Sequence, residues 1–216
     1  MGTGKLFIIS APSGAGKTSL VRQLMAEVNN LVVSISHTTR PIRPGETHGE
    51  DYFFVSPAEF KALLDNHALL EHASVFDNFY GTAKTTVEKN LNEGLDVILE
   101  IDWQGAQQIK KIQPDCLSIF ILPPSTEILE QRLQNRGQDD DHVIARRMRD
   151  AVTEMSHHEE FDYILVNDVF ERALTELKSI IIANRLTKGR QQQHLKTLLT
   201  ALLSSSTEPN YPETGK

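Results

Sequence analysis

Lys17 and Thr18 close the run Ala11-Pro12-Ser13-Gly14-Ala15-Gly16-Lys17-Thr18, and a lysine followed by a hydroxyl at the end of a glycine-rich turn is suited to holding phosphates. The apolar run Leu6–Ser10 ahead of it reads as a buried strand, and Leu20, Val21 and Leu24 behind it share one side of a helix. Strand, Gly-rich turn, Lys-Thr and helix form the context of a phosphate-binding P-loop. Its glycines let successive N–H groups face one point, and the helix start adds unpaired N–H groups and a positive dipole end. Lys17 then reaches the outer phosphates and Thr18 offers its hydroxyl to Mg²⁺. Ala11 stands where the usual pattern opens with glycine, so its backbone must be one that a Cβ tolerates. The plainer reading is a loop capping an ordinary helix through Thr18 or Ser19. Lys17 argues against it, because a cation at a helix N-terminus opposes the dipole unless an anion sits between.

Arginines supply the second set of charges. Arg40 and Arg43 lie three apart in His37–Glu46, which two prolines and a glycine mark as a loop. Arg132 and Arg136 follow at helical i,i+4 spacing, with Arg146, Arg147 and Arg149 on the next helix and Asp139–Asp141 between the two groups. Cations packed this closely repel unless acids or a bound anion neutralise them. Asp102 and Asn167 each follow an apolar strand, at the strand end where open α/β sheets handle ligands. The eight histidines form no metal-ligand pattern, and the single cysteine, Cys116, allows no intrachain disulfide.

The elements that must position these residues alternate strand and helix. Apolar runs at Leu6–Ser10, Leu31–Ser36, Asp96–Ile101, Leu117–Leu122 and Tyr163–Val166 read as strands. Helices are expected at Ser19–Met25, Thr85–Asn92, Ala106–Ile112, Thr126–Asn135, Val143–His158, Phe170–Ala183 and Gln191–Leu203. This rhythm predicts an α/β fold of the P-loop NTPase type, a mostly parallel five-stranded sheet flanked by helices. Residues 37–90 interrupt it with short strands and a helix opened by Ser56-Pro57, and read as an inserted mixed α/β subdomain. Residues 125–159 read as a helical lid. The core is then 1–36, 91–124 and 160–203, and 204–216 is expected to be a tail without regular structure. At 216 residues the chain can bury about 70% of its unfolded surface. A net charge of −7 disfavours nucleic acid as a partner. The absence of an export segment or a long apolar run points away from membranes and to the cytoplasm. The oligomeric state is open, since the C-terminal amphipathic helices suit either the core or another subunit.

The P-loop alone leaves hydrolase, kinase and motor open. The split of arginines between insert and lid favours a small-molecule kinase, whose phosphates are clamped from two sides and shielded from water. Seven stretches in order then carry a resemblance: Ser10–Thr18, Ser36–Glu46, Gly49–Val55, Phe79–Thr82, Glu100–Gly105, Arg132–Gly137 and Val166–Asp168. Together they resemble the guanylate kinases, in particular the bacterial cytoplasmic form. The resemblance implies transfer of a phosphoryl group from Mg·ATP to GMP. It places Ala11, Pro12, Ser13, Gly14, Ala15, Gly16, Lys17 and Thr18 around the ATP phosphates and Mg²⁺, with Asn167 near the adenine. Arg40, Arg43, Tyr52 and Tyr80 hold the GMP phosphate, and Ser36, Glu71, Thr82 and Asp102 read the guanine. Arg132, Arg136 and Arg147 close over the phosphates. Two other readings remain at this stage: a P-loop kinase for a different nucleoside monophosphate, and a non-catalytic module of the same fold.

Overall fold

The computed structural model describes residues 3–75, 77–134 and 141–204. β1 (Leu6–Ser10) is followed by the loop and α1 (Lys17–Glu27), then by β2 (Leu31–Val33). β7 (Asp96–Glu100), α4 (Trp103–Ile112), β8 (Leu117–Leu122), β9 (Tyr163–Val166) and α7 (Phe170–Arg185) complete the core. The five core strands form one parallel sheet in the order β2-β7-β1-β8-β9, with Ile8 level with Leu99 on one side and Ser118 on the other.

All five residues of β1 are buried, as a central strand covered on both faces requires. Alternation sends them two ways. Phe7 and Ile9 meet Leu20 and Leu24 of α1 and Leu177 and Ile181 of α7. Leu6 and Ile8 meet Ile109 of α4 and Val87, which lies on α3 (Lys84–Asn92).

The insertion builds its own sheet. β3 (His37–Thr38), β4 (Phe53–Phe54), β5 (Leu69–Val75) and β6 (Asn78–Ala83) line up as β4-β3-β6-β5. α2 (Pro57–Asp65) starts at a complete capping box between Ser56 and Glu59 and buries Phe60. α5 (Thr126–Gln134) and α6 (Asp141–Ser156) share a small core of Leu129, Leu133 and Ala151 with Met148 and Met155.

Some boundaries differ from the pattern expected of the sequence. β2 stops at Val33, and Ser34 N–H then bonds Ile98 O at 2.9 Å. The helix expected over Gln191–Leu203 is two, α8 (Lys188–His194) and α9 (Lys196–Ser204), divided at Leu195, whose ψ of 10° leaves the helical range. Arg136, most of the acidic run and the tail beyond Ser204 lie outside the described residues.

Asp96, 1% exposed at the start of β7, ties the two ends of the chain together. Oδ1 accepts from Lys5 N–H at 2.8 Å and Arg190 Nη2 at 2.7 Å, and Oδ2 accepts from Arg185 Nε at 2.8 Å. This explains why α7 runs on to Arg185. Removing one partner of such a pair leaves the others uncompensated. Asp96→Ala should therefore lower stability by about 3 kcal/mol in urea titration. Because Asp96 lies at the opposite end of β7 from Asp102, turnover per folded molecule should stay near that of the parent.

Candidate active site

The loop after β1 is held open from below. Gly14 and Gly16 both have φ of +92°, in the left-handed region where a Cβ is strained. Gly16 caps α1 with no side-chain hydrogen bond, so the first N–H groups of the helix have no side chain filling them. Ala11 is absent from the residues with positive φ, which is why alanine serves at the motif's opening position. Asn167, 5% exposed, donates its amide to Ala15 O at 2.7 Å, and a Cβ at Gly16 would run into that amide. From the side, a Cβ on Gly14 would come within 3.0 Å of Leu129 Cδ1. Asn167 therefore braces the loop.

Lys17 begins α1, and among the described residues no carboxylate lies within ion-pair distance of it. Its charge is nonetheless felt at Glu71 and Glu154. Thr18 Oγ1 stands 3.5 Å from Glu100 Oε2 at the end of β7. Arg132 donates through Nη2 to Asn167 O at 3.0 Å, while its Nη1 is buried without a partner. An orphaned guanidinium donor beside a cradle of N–H groups is a place for an anion.

Ser36, Thr82, Glu71 and Asp102 come together where the inserted sheet meets the core. Ser36 Oγ lies 3.3 Å from Thr82 Oγ1, which donates to Glu71 Oε1 at 2.6 Å. Glu71 is 3% exposed, and burial, with Asp102 adding to it, pushes its carboxyl up to about 7 against the pull of Thr82 and Lys17. Asp102 caps α4 by accepting from Gly105 N–H at 2.9 Å. It is a helix cap and a neighbour of Glu71 at once. Gly105 makes this approach possible, since a Cβ there would sit 2.5 Å from Glu71 Oε2.

Arg40, Arg43, Tyr52 and Tyr80 form a third group. Arg40 is 9% exposed and grips Glu46 with two donors, at 2.7 and 3.0 Å. Its guanidinium lies 5.5 Å from the Tyr52 ring centre and 5.6 Å from that of Phe54. Burial works against its charge, and Glu46 with Tyr80 outweighs that effect. Glu46 also accepts from the Arg43 backbone N–H at 2.8 Å, so one acid holds the Arg40 side chain and the main chain at Arg43. The Tyr52 and Tyr80 rings meet edge-on at 5.9 Å. Burial, then Tyr80 and Glu100, push the Tyr52 phenol up to about 12, so its hydroxyl remains a donor at neutral pH.

α6 crosses toward the inserted sheet, where Arg146 reaches Asp77 in the β5–β6 turn at 3.5 Å. Arg147 is half-buried on the same helix, and Arg136 is outside the described residues. Three acids to which the sequence reading gave no role enter the site: Glu46, Glu100 and Glu154. Glu100 carried a signal, being the last residue of an apolar strand that ends beside the loop. Glu46 and Glu154 look like ordinary solvent-facing acids in sequence.

Comparison with known proteins agrees with this geometry. The guanylate kinase family model matches residues 3–184. The guanylate kinase of Methylococcus capsulatus is 58% identical over 203 residues, covering 94% of this chain and 100% of the relative. That of Salmonella typhimurium is 54% identical over 206 residues, with 94% and 100% covered. The crystal structure of the Anaplasma phagocytophilum guanylate kinase superposes with a TM-score of 0.75 at 35% identity, covering 90% of this chain and 95% of that one. The glycine-rich loop, the neighbouring acids Glu71 and Asp102, and above all these likenesses agree: the chain belongs to the guanylate kinase family.

Proposed function

We infer that the ATP:GMP phosphotransferase activity of the family is carried here by a triphosphate seated on Ser13–Thr18 and a guanine mononucleotide seated between Glu71, Asp102 and the Arg40 cluster. The observation that carries this reading is the Glu71–Asp102 pair. Guanine presents N1–H and a 2-amino group as donors and O6 as acceptor, so carboxylates and hydroxyls at one place complement it. Adenine lacks the 2-amino donor and would leave a buried carboxylate unpaired, which costs several kcal/mol.

The roles follow from what each group can do. Lys17 and the loop N–H groups hold the outer phosphates, and Arg132 offers its buried Nη1 to the phosphoryl group in transit. Arg40, aligned by Glu46, presents a fixed fork, with Arg43, Tyr52 and Tyr80 completing a seat for the acceptor's phosphate. Arg136 and Arg147 are assigned to closure over the phosphates. Residues 37–90 act as the acceptor-binding unit and 125–159 as a lid that excludes water.

Thr18 Oγ1 and Glu100 Oε2, 3.5 Å apart, are the hard oxygen donors that Mg²⁺ prefers, and they fit that ion. Bound there, Mg²⁺ would neutralise charge on the donor phosphates. Among the described residues no helix is long and apolar enough to cross a membrane, and we place the enzyme in the cytoplasm.

A coupled ADP-release assay with Mg·ATP should show turnover with GMP and little with AMP, CMP or UMP. Comparable turnover with AMP would refute the base assignment. Lys17→Ala should reduce kcat by about a thousandfold or more with an unchanged melting temperature, because Lys17 forms no ion pair in the described fold.

Glu71 gives a pH signature. Below about pH 7 its carboxyl is protonated and stops accepting, so the KM for GMP should rise as pH falls from 8 to 6. Glu71→Gln should raise KM and abolish that part of the slope. In stability the sign is opposite. The folded value is above the unfolded one, so the free protein loses stability as pH rises from about 4.5 to 7, by roughly 3 kcal/mol. The same substitution should therefore raise the melting temperature at pH 8 and leave it unchanged at pH 4.

A further inference from the structure

Gln108 stands on α4, one turn after Gly105, and pairs with the main chain of β5. Its Nε2 donates to His72 O at 2.7 Å, and its Oε1 accepts from His72 N–H at 3.1 Å. Nε2 also lies 3.3 Å from Gln104 O in the preceding turn of the helix. β5 is an outer strand of the inserted sheet, with β6 as its one neighbour. An outer strand leaves a row of main-chain groups unpaired. At His72 a single side-chain amide takes up both of them, as an adjacent strand would. The helix that carries this amide is anchored in the core by Ala106 and Ile109.

The two ends of this contact lead to the two acids. His72 directly follows Glu71. Asp102 heads α4, where it accepts from Gly105 N–H at 2.9 Å and from Gln104 Nε2 at 3.1 Å. Glu71 Oε2 comes so near the same glycine that a Cβ there would stand 2.5 Å from it. Both acids therefore meet over the first turn of α4. Neither the strand ladder nor packing fixes Glu71 along β5. The pairing of β5 with β6 shifts register between Leu69 and Glu71, just ahead of the acid. A cleft of about 260 Å³, lined by Leu64, Leu69, Leu70, Glu71 and Gln108 among others, opens beside it. The amide of Gln108 spans the gap that packing leaves.

We propose that Gln108 is a positioning residue for guanine recognition: by clipping the main chain of His72 to α4 it holds Glu71 in register with Asp102. This role rests on the reading of the two acids as the base seat. Two carboxylates that read N1–H and a 2-amino group must keep the spacing of those donors, and a small displacement of either costs binding. Gln108 itself touches no nucleotide. It acts through the backbone of β5, so its loss is felt at the base and leaves the phosphate loop as it was.

The test is steady-state kinetics of the full chain with Mg·ATP and GMP, alongside thermal melting. Gln108→Leu keeps the volume and removes both hydrogen bonds. It should raise KM for GMP about five- to tenfold while kcat and KM for ATP stay within about twofold. Its melting temperature should change little, because His72 is exposed and water can take over its main-chain groups. Gln108→Glu keeps an acceptor for His72 N–H and loses the donor, so it should raise KM for GMP as well, which covers poor folding of the leucine variant. In a Glu71→Gln background, Gln108→Leu should add less than about twofold, since the clip works through Glu71. Effects that multiply in the double variant, as a merely structural contact would give, overturn the proposal. So do a parent-like KM for GMP in both Gln108 variants, and a shift of kcat and both KM values together. Glu71→Gln alone separates this from the base-seat reading. If its KM for GMP matches the parent, the seat reading fails. If it raises that KM while both Gln108 variants match the parent, only the positioning role fails.

Discussion

A backbone loop that is to hold phosphate, as proposed for Ser13–Thr18, must keep its N–H groups unpaired without collapsing onto them, and the fold meets that constraint from several directions. The parallel sheet brings the ends of β1, β7 and β9 to one edge, which puts Asn167 under the loop and Glu100 beside it. Asn167 takes Ala15 O out of play at 2.7 Å, so that carbonyl cannot close back on the cradle. Leu129 and Leu133 press on Gly14 from α5. Glycine is needed at 14 and 16 both for the left-handed backbone and for these close approaches. The order of the loop thus comes from residues more than a hundred positions downstream as well as from its own sequence.

The second theme is the use of acids to direct cations and of burial to bias acids. Glu46 holds Arg40 and the backbone of Arg43 in place, trading net charge for orientation. Glu71 is buried next to Asp102, and its raised carboxyl is a cost to the fold that the proposed guanine contact would offset. A cost of that kind is expected where recognition rests on buried polar groups. Gly105 is the steric condition for it: its N–H fixes Asp102 while its missing side chain admits Glu71.

Much of the scaffold was legible because its signals are local. Apolar runs marked the five core strands, the glycines and Lys17-Thr18 marked the cradle, and Ser56-Pro57 with Glu59 marked the start of α2. What stayed hidden depends on distant partners. β2 ends at Val33 although the β-rich pattern continues to Ser36, because the chain there must leave one sheet for another. The break at Leu195 has no glycine or proline to announce it. Glu71 read equally well as an acid on a strand edge, and only its contacts with Thr82 and Asp102 lift it out of that class. Asp102 reads as a helix cap in sequence and is one in the structure.

The knot at Asp96 also bears on how the molecule is made. Its arginine partners lie 89 and 94 positions further along, so a chain emerging from the ribosome exposes this acid long before anything can neutralise it. The sheet's central strands can pair earlier, but the last clasp waits for α7 and α8. The Asp96 clasp can therefore close only after α7 and α8 have been made, later than the pairing of β1 with β7 can begin.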